Sequence, residues 1–274
     1  MNLMRVYLVA HAAKPSVLKT LAALKQWCQE RNIEVVPAST VLPKGDENAI
    51  VLALGGDGTV LRAAGLCSQT EIPVLGINLG SLGFLTQATA QELPEILENL
   101  LSERFVIEER MRLAYQAGTY HGTVLNDVVI TGRGDSPFCE IELSWEDGAV
   151  STLPGDGVIL ATATGSTAYS LSAGGPVIVP PAACILATPH APHKLGLRPV
   201  VFPPSEVIRM VSRTPSQVIA DGDHVADLEP GTEVRVQRAE IPTYLIRWAD
   251  SPGFFRVLNE KLNWADARPR ELNA

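Results

Sequence analysis

Gly55-Gly56-Asp57-Gly58-Thr59 follows directly on the apolar run Ile50-Val51-Leu52-Ala53-Leu54, and this junction decides the fold class. A continuous apolar run closed by glycines predicts a buried strand that ends in a tight turn, and Thr59–Ala64 begins a predicted helix. A glycine turn between a strand and a helix leaves backbone N–H groups free to bind phosphate. A carboxylate among phosphate-binding amides would repel phosphate unless a metal ion or a hydroxyl group interacts with it. The presence of Asp57 therefore indicates a site that transfers phosphate rather than one that only binds it. The predicted phosphate cradle consists of Gly55, Gly56, Gly58 and Thr59.

Two common phosphate-binding loops do not match this turn. A Walker loop is excluded because no Gly-Lys-Ser or Gly-Lys-Thr follows. A Rossmann dinucleotide fingerprint is not met either, because the glycine spacing differs and a carboxylate lies inside the turn. The alternative that stays open is a plain turn in which glycine supplies a positive φ and Asp57 caps the helix.

Strand and helix candidates alternate over residues 1–112, which predicts an α/β domain with a parallel sheet and helical crossovers. The predicted strands are Arg5–Ala10, Ile33–Val36, Ile50–Leu54 and Pro73–Ile77, and the predicted helices are Ser16–Arg31, Thr59–Cys67 and Gln91–Leu101. Ligands of such sheets bind beyond the carboxyl ends of the strands, and Asp57 lies at one of these ends.

The pattern changes after residue 112 to short apolar or alternating runs separated by Gly, Pro, Asp and Ser, which predicts a β-rich, sandwich-like second domain over 113–248. The runs are Thr123–Thr131, Glu140–Trp145, Gly157–Ala161, Val207–Val211, Gln217–Ala220, Glu233–Gln237 and Tyr244–Arg247. Ser166–Ala173 is a candidate short helix within this region. The segment 249–274 contains a predicted helix, Phe254–Trp264, which we expect to complete the first domain. The active site is then expected in the cleft between the two domains.

Composition limits the classes of partner. The 274-residue chain has a formal net charge of −8 and a sequence pI of about 5.2, and its Lys and Arg residues do not cluster, so nucleic acid is not an expected partner. The apolar stretch Val6–Ala10 is too short for a membrane span, and we expect it to be a first strand rather than a signal sequence. The four cysteines, at positions 28, 67, 139 and 184, are far apart in sequence and are expected to be reduced, buried thiols. A soluble cytoplasmic protein is the expectation.

Four further segments carry polar residues at the ends of apolar runs. Gly76–Leu85 is a second glycine turn, expected to line the same cleft as Asp57 or to be a packing loop. Asn126-Asp127 interrupts an apolar run, where two polar side chains need partners. Gly155–Pro176 is the strongest segment, because a strand leads into a long loop rich in hydroxyls and glycines. Asp221-Gly222-Asp223-His224 is either a hairpin turn or a carboxylate or imidazole directed into the cleft, while the roles of His193 and Arg198 stay open.

These segments together resemble the NAD kinase family, specifically its bacterial, ATP- or polyphosphate-dependent type. The resemblance is carried by Gly55–Thr59, Asn78–Leu85, Asn126-Asp127 and Thr164–Pro176, in the order that the family shows, with Pro192-His193 and Arg198-Pro199 also similar. The Gly-Gly-Asp-Gly-Thr turn is shared with diacylglycerol, sphingosine and phosphofructokinases. The Thr-Gly-Ser-Thr-Ala-Tyr block is far more specific to NAD kinases.

The resemblance implies transfer of the terminal phosphate of ATP, or of another phosphoryl donor, to the 2′-hydroxyl of the adenosine ribose of NAD, giving NADP. It implies that Asp57 is the general base, that Mg²⁺ arrives with ATP rather than in a dedicated metal site, and that the protein is a homodimer or homotetramer. The positions that match NAD-contacting residues of the family are Asp57, Gly58, Arg62, Asn126, Asp127, Asp156, Thr167, Ala168, Tyr169, Ser170, Leu171, Ser172 and, by a looser alignment, Asp223.

Two departures from the family pattern bear on specificity. Asp127 stands where Glu is usual, and Pro154, two residues before Asp156, stands where a basic residue is common. The choice between NAD and NADH and between phosphoryl donors therefore stays open. The alternatives are a lipid kinase of the diacylglycerol or sphingosine type, which lacks the Thr164–Pro176 block, and a nucleotide-sensing module without catalysis.

Overall fold

Among the described residues up to 110, strands and helices alternate as the sequence pattern predicts. The structure is a computed structural model and describes residues 3–10, 15–80, 83–86, 88–134, 137–145, 148, 150–248, 251 and 253–264 of the chain. The elements are β1 (Arg5–Ala10), α1 (Pro15–Glu30), β2 (Glu34–Pro37), β3 (Ala49–Leu54), α2 (Asp57–Leu66), β4 (Val74–Asn78), β5 (Ala88–Thr89), α3 (Leu93–Leu101) and β6 (Val106–Arg110). Every strand and helix predicted over residues 1–112 forms within about two residues of its expected bounds, while β5 and β6 were not predicted.

The remaining chain is mainly antiparallel strand. Its elements are β7 (Leu113–Ala117), β8 (Tyr120–Val124), β9 (Asp127–Gly132), β10 (Cys139–Ser144), β11 (Val150–Gly155), β12 (Gly157–Ala161), α4 (Tyr169–Ser172), β13 (Ile185–His190), β14 (Val200–Phe202), β15 (Ile208–Ser212), β16 (Ser216–Ala220), β17 (Asp223–Leu228), β18 (Glu233–Arg238), β19 (Thr243–Arg247) and α5 (Phe254–Leu262). Two predicted elements are interrupted. The run Thr123–Thr131 breaks at Leu125-Asn126 into β8 and β9, and the helix Ser166–Ala173 breaks at Ala168 into a 3₁₀ turn and α4.

The first sheet has the order β2-β1-β3-β4-β19-β6, with β5 also paired to β4, and every pair except β19–β6 is parallel. All residues of β3 and β4 are buried, as expected for parallel strands covered on both faces. One face packs against α1 and α3 through Leu24 and Leu97, and the other packs against α2 through Val60 and Ala63. This packing fixes the carboxyl end of β3, where the glycine turn begins.

Two antiparallel six-stranded sheets form the β-rich part, in the orders β11-β10-β15-β18-β7-β8 and β14-β13-β12-β9-β16-β17. Their apolar faces share one core, with Ile130 and Leu160 from one sheet and Ile141 and Met210 from the other. The predicted α/β plus β-sandwich-like fold class is confirmed.

The strand β19 lies in a different sheet from the one expected. The sequence grouped Tyr244–Arg247 with the antiparallel region, but β19 pairs with β4 and β6 in the first sheet. Its two central residues explain this placement, because Leu245 is buried on one face of the first sheet and Ile246 on the other. The expected helix in 249–274 is present as α5, while residues 249, 250, 252 and 265–274 lie outside the described residues.

The four cysteines are buried and free, as expected from their spacing. Burial raises the pKa of Cys67 to about 12 and that of Cys28 and Cys139 to about 11, so these thiols are protonated near neutral pH. None of the helices in the described part of the chain combines the length and the apolar character that a bilayer span requires.

Candidate active site

The Gly55–Thr59 turn joins the carboxyl end of β3 to the first turn of α2. The N–H of Gly55 donates to the carbonyl of Ile77 in the neighbouring strand β4 at 3.0 Å. A side chain at position 55 would meet Thr59, because an added Cβ lies 2.0 Å from Thr59 Oγ1. Gly56 and Gly58 are exposed, and α2 begins at Asp57, so the free N–H groups of its first turn lie at the protein surface. These are the residues that the sequence predicts as a phosphate cradle, and within them the N–H of Thr59 donates to the carbonyl of Gly56 at 2.9 Å.

The second glycine turn holds the carboxylate of Asp57. The N–H of Phe84 donates to Asp57 Oδ2 at 2.9 Å, and the N–H of Leu85 donates to Oδ1 at 3.0 Å. Gly83 is required there, since an added Cβ lies 2.0 Å from Oδ1. Two backbone dipoles thus stabilise a negative charge within a turn that otherwise attracts anions.

Asn78 and Thr86 shape this second turn from within. Asn78 donates to Thr86 Oγ1 at 3.2 Å and accepts from the N–H of Gly80 at 2.7 Å, while the N–H of Gly83 donates to Thr86 Oγ1 at 2.8 Å. Both polar side chains are buried and bonded, as buried polar groups need to be. The turn is therefore a fixed platform for Asp57. Ser81 and Leu82 lie outside the described residues.

A cavity of about 600 Å³ opens over the glycine turn. Its lining consists of Val17, Leu54, the five residues Gly55–Thr59, Asn78, Leu79, Gly80, Gly83 and Lys261. It is framed by backbone amides and by the carboxylate of Asp57, which suits a polyanion with a reacting hydroxyl at its edge.

Leu125-Asn126-Asp127 links the β-rich part to the helix that bears Asp57. Leu125 is fully buried in the same apolar cluster as Val60 and Ala63 of α2. The carbonyls of Leu125 and Asn126 accept from the hydroxyl and the N–H of Thr162, at 2.6 and 2.9 Å. The polar pair at 126 and 127 therefore projects from a segment packed against α2.

Asp221 fixes this segment from the other side. Its carboxylate accepts from the N–H groups of Leu125 and Asn126, both at 2.8 Å, and from that of Asp127 at 3.2 Å. Asp221 has a φ of 47°, a left-handed conformation in which Asp is among the more tolerated residues. The acidic turn is recognisable in the sequence, but the contact predicted there is Asp223, which is exposed at the start of β17.

Two buried arginines, Arg110 and Arg112, make hydrogen bonds between the α/β part and the β-rich part of the fold. Arg112 donates to the carbonyl of Ala64, at the end of α2, at 2.6 Å and to Thr123 Oγ1 at 2.5 Å, and its charge interacts with Asp221. Arg110 donates to Thr164 Oγ1 at 3.2 Å. Neither arginine was selected from the sequence, because each acts on residues distant in the chain.

The carboxyl group of Asp127 lies in a strongly perturbed environment. Burial, and then the charge of Asp221, raise its pKa to about 7. Burial also raises the pKa of Asp221, against the opposing effects of its three N–H donors and of Arg112. A buried carboxyl group with a perturbed pKa is common at functional sites.

Comparisons with known proteins identify the family. A family model for the ATP-NAD kinase N-terminal domain matches residues 41–105, and one for the ATP-NAD kinase C-terminal domain matches residues 125–248. A curated NAD kinase from Moorella thermoacetica is 38% identical, over 98% of this chain and 92% of its own length. This chain belongs to the NAD kinase family. Another family member, from Heliobacterium modesticaldum, is 35% identical over 94% of this chain and 98% of its own.

Solved structures of NAD kinases share the architecture. Yeast NADH kinase in complex with NADH superposes with a TM-score of 0.87 at 27% identity, covering 98% of this chain and 90% of that one. An NAD kinase from Archaeoglobus fulgidus in complex with ATP superposes with a TM-score of 0.74 at 26% identity, covering 88% and 93%. The likeness spans both parts of the fold, and the resemblance read from the motifs is confirmed.

The family's hydroxyl-rich block, Thr164–Pro176, divides into internal and accessible groups. Ser166 Oγ donates to the carbonyl of Ala163 at 2.7 Å, and the fully buried Ser170 shares a 2.8 Å hydrogen bond with Thr188. Gly165 lies against the backbone of Asn126, where an added Cβ would be 2.2 Å from its carbonyl oxygen. These groups shape the loop. Among the predicted contacts, Thr167, Ala168 and Leu171 are half-buried, and Tyr169 and Ser172 are exposed.

Tyr169 lies near enough to Asp127 and Asp156 to be affected by their charges. Its hydroxyl lies 3.2 Å from Nε2 of His190, and the two rings are 5.2 Å apart. Burial raises the pKa of its phenol, and the charges of Asp127 and Asp156 raise it further. His190 was not selected from the sequence, where no spacing connects it to Tyr169.

Arg62, His193, Arg198 and His224 are all exposed. Arg62 is exposed on α2, one turn beyond Gly58. His193 stacks on Phe138 at 5.2 Å, Arg198 donates to the nearby carbonyls of Leu195 and Leu197, and His224 pairs with Asp227 at 3.0 Å. These contacts give each of the three side chains a local partner.

Proposed function

We propose that this chain is an NAD kinase that transfers the terminal phosphate of ATP, or of another phosphoryl donor, to the 2′-hydroxyl of the adenosine ribose of NAD. The observation that carries the proposal is the position of Asp57 at the first turn of α2, held by the N–H groups of Phe84 and Leu85 at the edge of the cavity. A carboxylate so placed can accept a proton, and the adjacent amides can bind phosphate. The family relationship supports the same reaction.

In the proposed step, the ribose oxygen attacks the terminal phosphorus and the bond to the bridging oxygen breaks. Asp57 accepts the hydroxyl proton as the new bond forms, and the nucleoside diphosphate leaves. Phosphoryl transfer needs mainly positioning and charge stabilisation from the protein. The amides of Gly56 and Gly58 would supply these at the donor phosphates, because the N–H groups of Gly55 and Thr59 already donate to the carbonyls of Ile77 and Gly56.

We assign the dinucleotide to the surface formed by the β-rich part. The polar pair Asn126 and Asp127 would hold the ribose diol, because an amide can both donate and accept hydrogen bonds and an ionised carboxylate accepts them from hydroxyls. Tyr169 would pack on the ligand through its exposed ring face. Gly58, Arg62, Asp156, Thr167, Ala168, Leu171, Ser172 and Asp223 are proposed as further contacts. For Ser170, its burial against Thr188 supports a role in shaping the loop.

The site fits a divalent metal ion that arrives with the donor. Mg²⁺ prefers one or two carboxylates together with substrate phosphates and water, and Asp57 provides one partly exposed carboxylate at the cavity. Among the described residues no three His, Cys, Asp or Glu side chains form a metal-binding group. Asp57 is the residue that would hold the ion, which would neutralise part of the phosphate charge.

We further propose a cytoplasmic homodimer or homotetramer with no nucleic-acid or membrane partner, in line with the net charge of −8. The proposed division assigns residues 1–112 and the C-terminal helix to one domain and the antiparallel strands from residue 113 onward to the other, with β19 returning to the first. A lipid kinase is not supported by any relative reported above.

The test is an assay of the purified protein with NAD, ATP and Mg²⁺, in which an NADP-specific dehydrogenase measures the NADP formed. Wild type should form NADP, and Asp57→Asn should lose about 10²-fold or more of that rate while retaining NAD binding. Near-native turnover of Asp57→Asn would refute the base assignment. Tight NAD binding by wild type without NADP formation, with ATP or polyphosphate, would instead indicate a sensor.

A further inference from the structure

The C-terminal helix α5 contributes to the cavity over the glycine turn. Lys261, in the last turn of α5, lines that cavity together with Gly55–Thr59 and Asn78–Gly80. More than 200 residues separate this lysine from the turn in the sequence. No motif in the sequence points to it.

Lys261 changes the charge of the cavity. Among the described lining residues, Asp57 and Lys261 are the charged ones. A phosphoryl donor carries several negative charges, which backbone N–H groups offset only in part and which the carboxylate of Asp57 repels. An ammonium group supplies a full positive charge and three hydrogen-bond donors on a flexible chain. It is therefore the side chain of this cavity suited to the donor phosphates.

The packing of α5 holds Lys261 in place. Val257 and Leu258 are buried, while Arg256 and Glu260 pair on the exposed side at 3.0 Å. At the start of the helix the ring of Phe254 lies 6.1 Å from that of Phe84, the residue whose N–H donates to Asp57. The helix that presents the lysine thus contacts the turn that orients the carboxylate.

We propose that Lys261 binds the phosphates of the phosphoryl donor and so makes α5 part of the donor site. The proposal rests on the proposed kinase function and adds a specific donor contact to it. Its role is in binding, so its loss should act on the KM for ATP and leave the KM for NAD unchanged.

The experiment compares wild type with Lys261→Ala, Lys261→Arg and the control Arg256→Ala, which removes an exposed cation from the same helix. The KM for ATP should rise about tenfold in Lys261→Ala, the size expected for one charge-assisted hydrogen bond. Lys261→Arg should restore part of this loss, since it keeps the charge. Arg256→Ala should match wild type. Thermal unfolding midpoints verify that all four proteins fold.

A binding measurement separates this proposal from the proposed function. Calorimetry with inorganic tripolyphosphate and Mg²⁺ should show weaker binding to Lys261→Ala than to wild type, whether or not NADP is formed. Equal tripolyphosphate affinity and equal KM for ATP in the two proteins would overturn the role of Lys261. An equal rise of both KM values would also overturn it, because that pattern indicates a structural effect. Failure of wild type to form NADP would refute the kinase function alone.

Discussion

The backbone N–H of Phe84 lies 2.9 Å from Oδ2 of Asp57, and this hydrogen bond joins the two glycine turns of the site. Asp57 begins α2, whereas Phe84 follows β4, so the contact fixes the carboxylate relative to two adjacent strand ends. Positioning errors near 1 Å cost about 10²-fold in rate. Residues that only support this contact should therefore affect turnover strongly.

Gly83→Ala should lower kcat by about 10²-fold with little change in the fold. The added Cβ would lie 2.0 Å from Asp57 Oδ1 and 2.5 Å from its Cγ, so the carboxylate has to move. Gly80→Ala is the matched control, because its Cβ would be 3.7 Å from Asn78 Oδ1, an ordinary contact. Steady-state assays of NADP formation would compare the two. Equal kcat values would show that the position of Asp57 is not critical.

Ser170→Ala should reduce stability and leave the KM for NAD unchanged. Ser170 is fully buried and bonded to Thr188 at 2.8 Å, so its loss leaves a buried hydroxyl without this partner, at a cost of about 1–3 kcal/mol. Ser172→Ala, at an exposed position of the same block, should have almost no effect on stability. Urea unfolding and the KM for NAD are the measurements. A raised KM for NAD with unchanged stability would restore Ser170 as a ligand contact.

The local elements were predictable because their signals are local. A run of five apolar residues before a glycine turn, as at Ile50–Leu54, predicts a buried strand and the turn after it from about ten consecutive residues. The same holds for α3, where Leu93, Ile96, Leu97 and Leu100 recur at helical spacing. The strand β19 shows what local patterns leave undetermined, because a short apolar run predicts that a strand forms but not which sheet it joins.

The supporting contacts of the site were not predictable for the same reason. Asp221 binds the N–H of Leu125 across 96 positions of sequence, and Arg112 reaches Ala64 across 48. Hydrophobic periodicity carries no information on such pairs. The motif around Asn126-Asp127 was recognisable, whereas the carboxylate that fixes it appeared only as part of an acidic turn.

Asp221→Asn should raise the KM for NAD several-fold and lower the free energy of unfolding by about 1–3 kcal/mol. The amide of this variant would keep one acceptor oxygen but would place an NH₂ group at the position of Oδ2, the atom that accepts from the N–H of Leu125 in wild type. The segment that carries Asn126 then shifts or loses a hydrogen bond. Asp227→Asn, at an exposed position of β17, is the control and should match wild type in both measurements. An unchanged KM and stability in Asp221→Asn would contradict the positioning role.

As pH rises, stability should fall while kcat/KM for NAD should increase, because burial and Asp221 raise the pKa of Asp127 to about 7. The unfolded value is about 3.9, so the folded state holds the proton more tightly, and stability falls as pH rises from about 4 to 7. The ionised carboxylate is the better acceptor for ribose hydroxyls, so kcat/KM for NAD should rise over the same range. Asp127→Asn should flatten both profiles, leaving a smaller stability slope from Asp221, whose pKa is also raised. Urea unfolding and initial rates between pH 5 and pH 8 test this, and profiles that are identical in wild type and variant would contradict it.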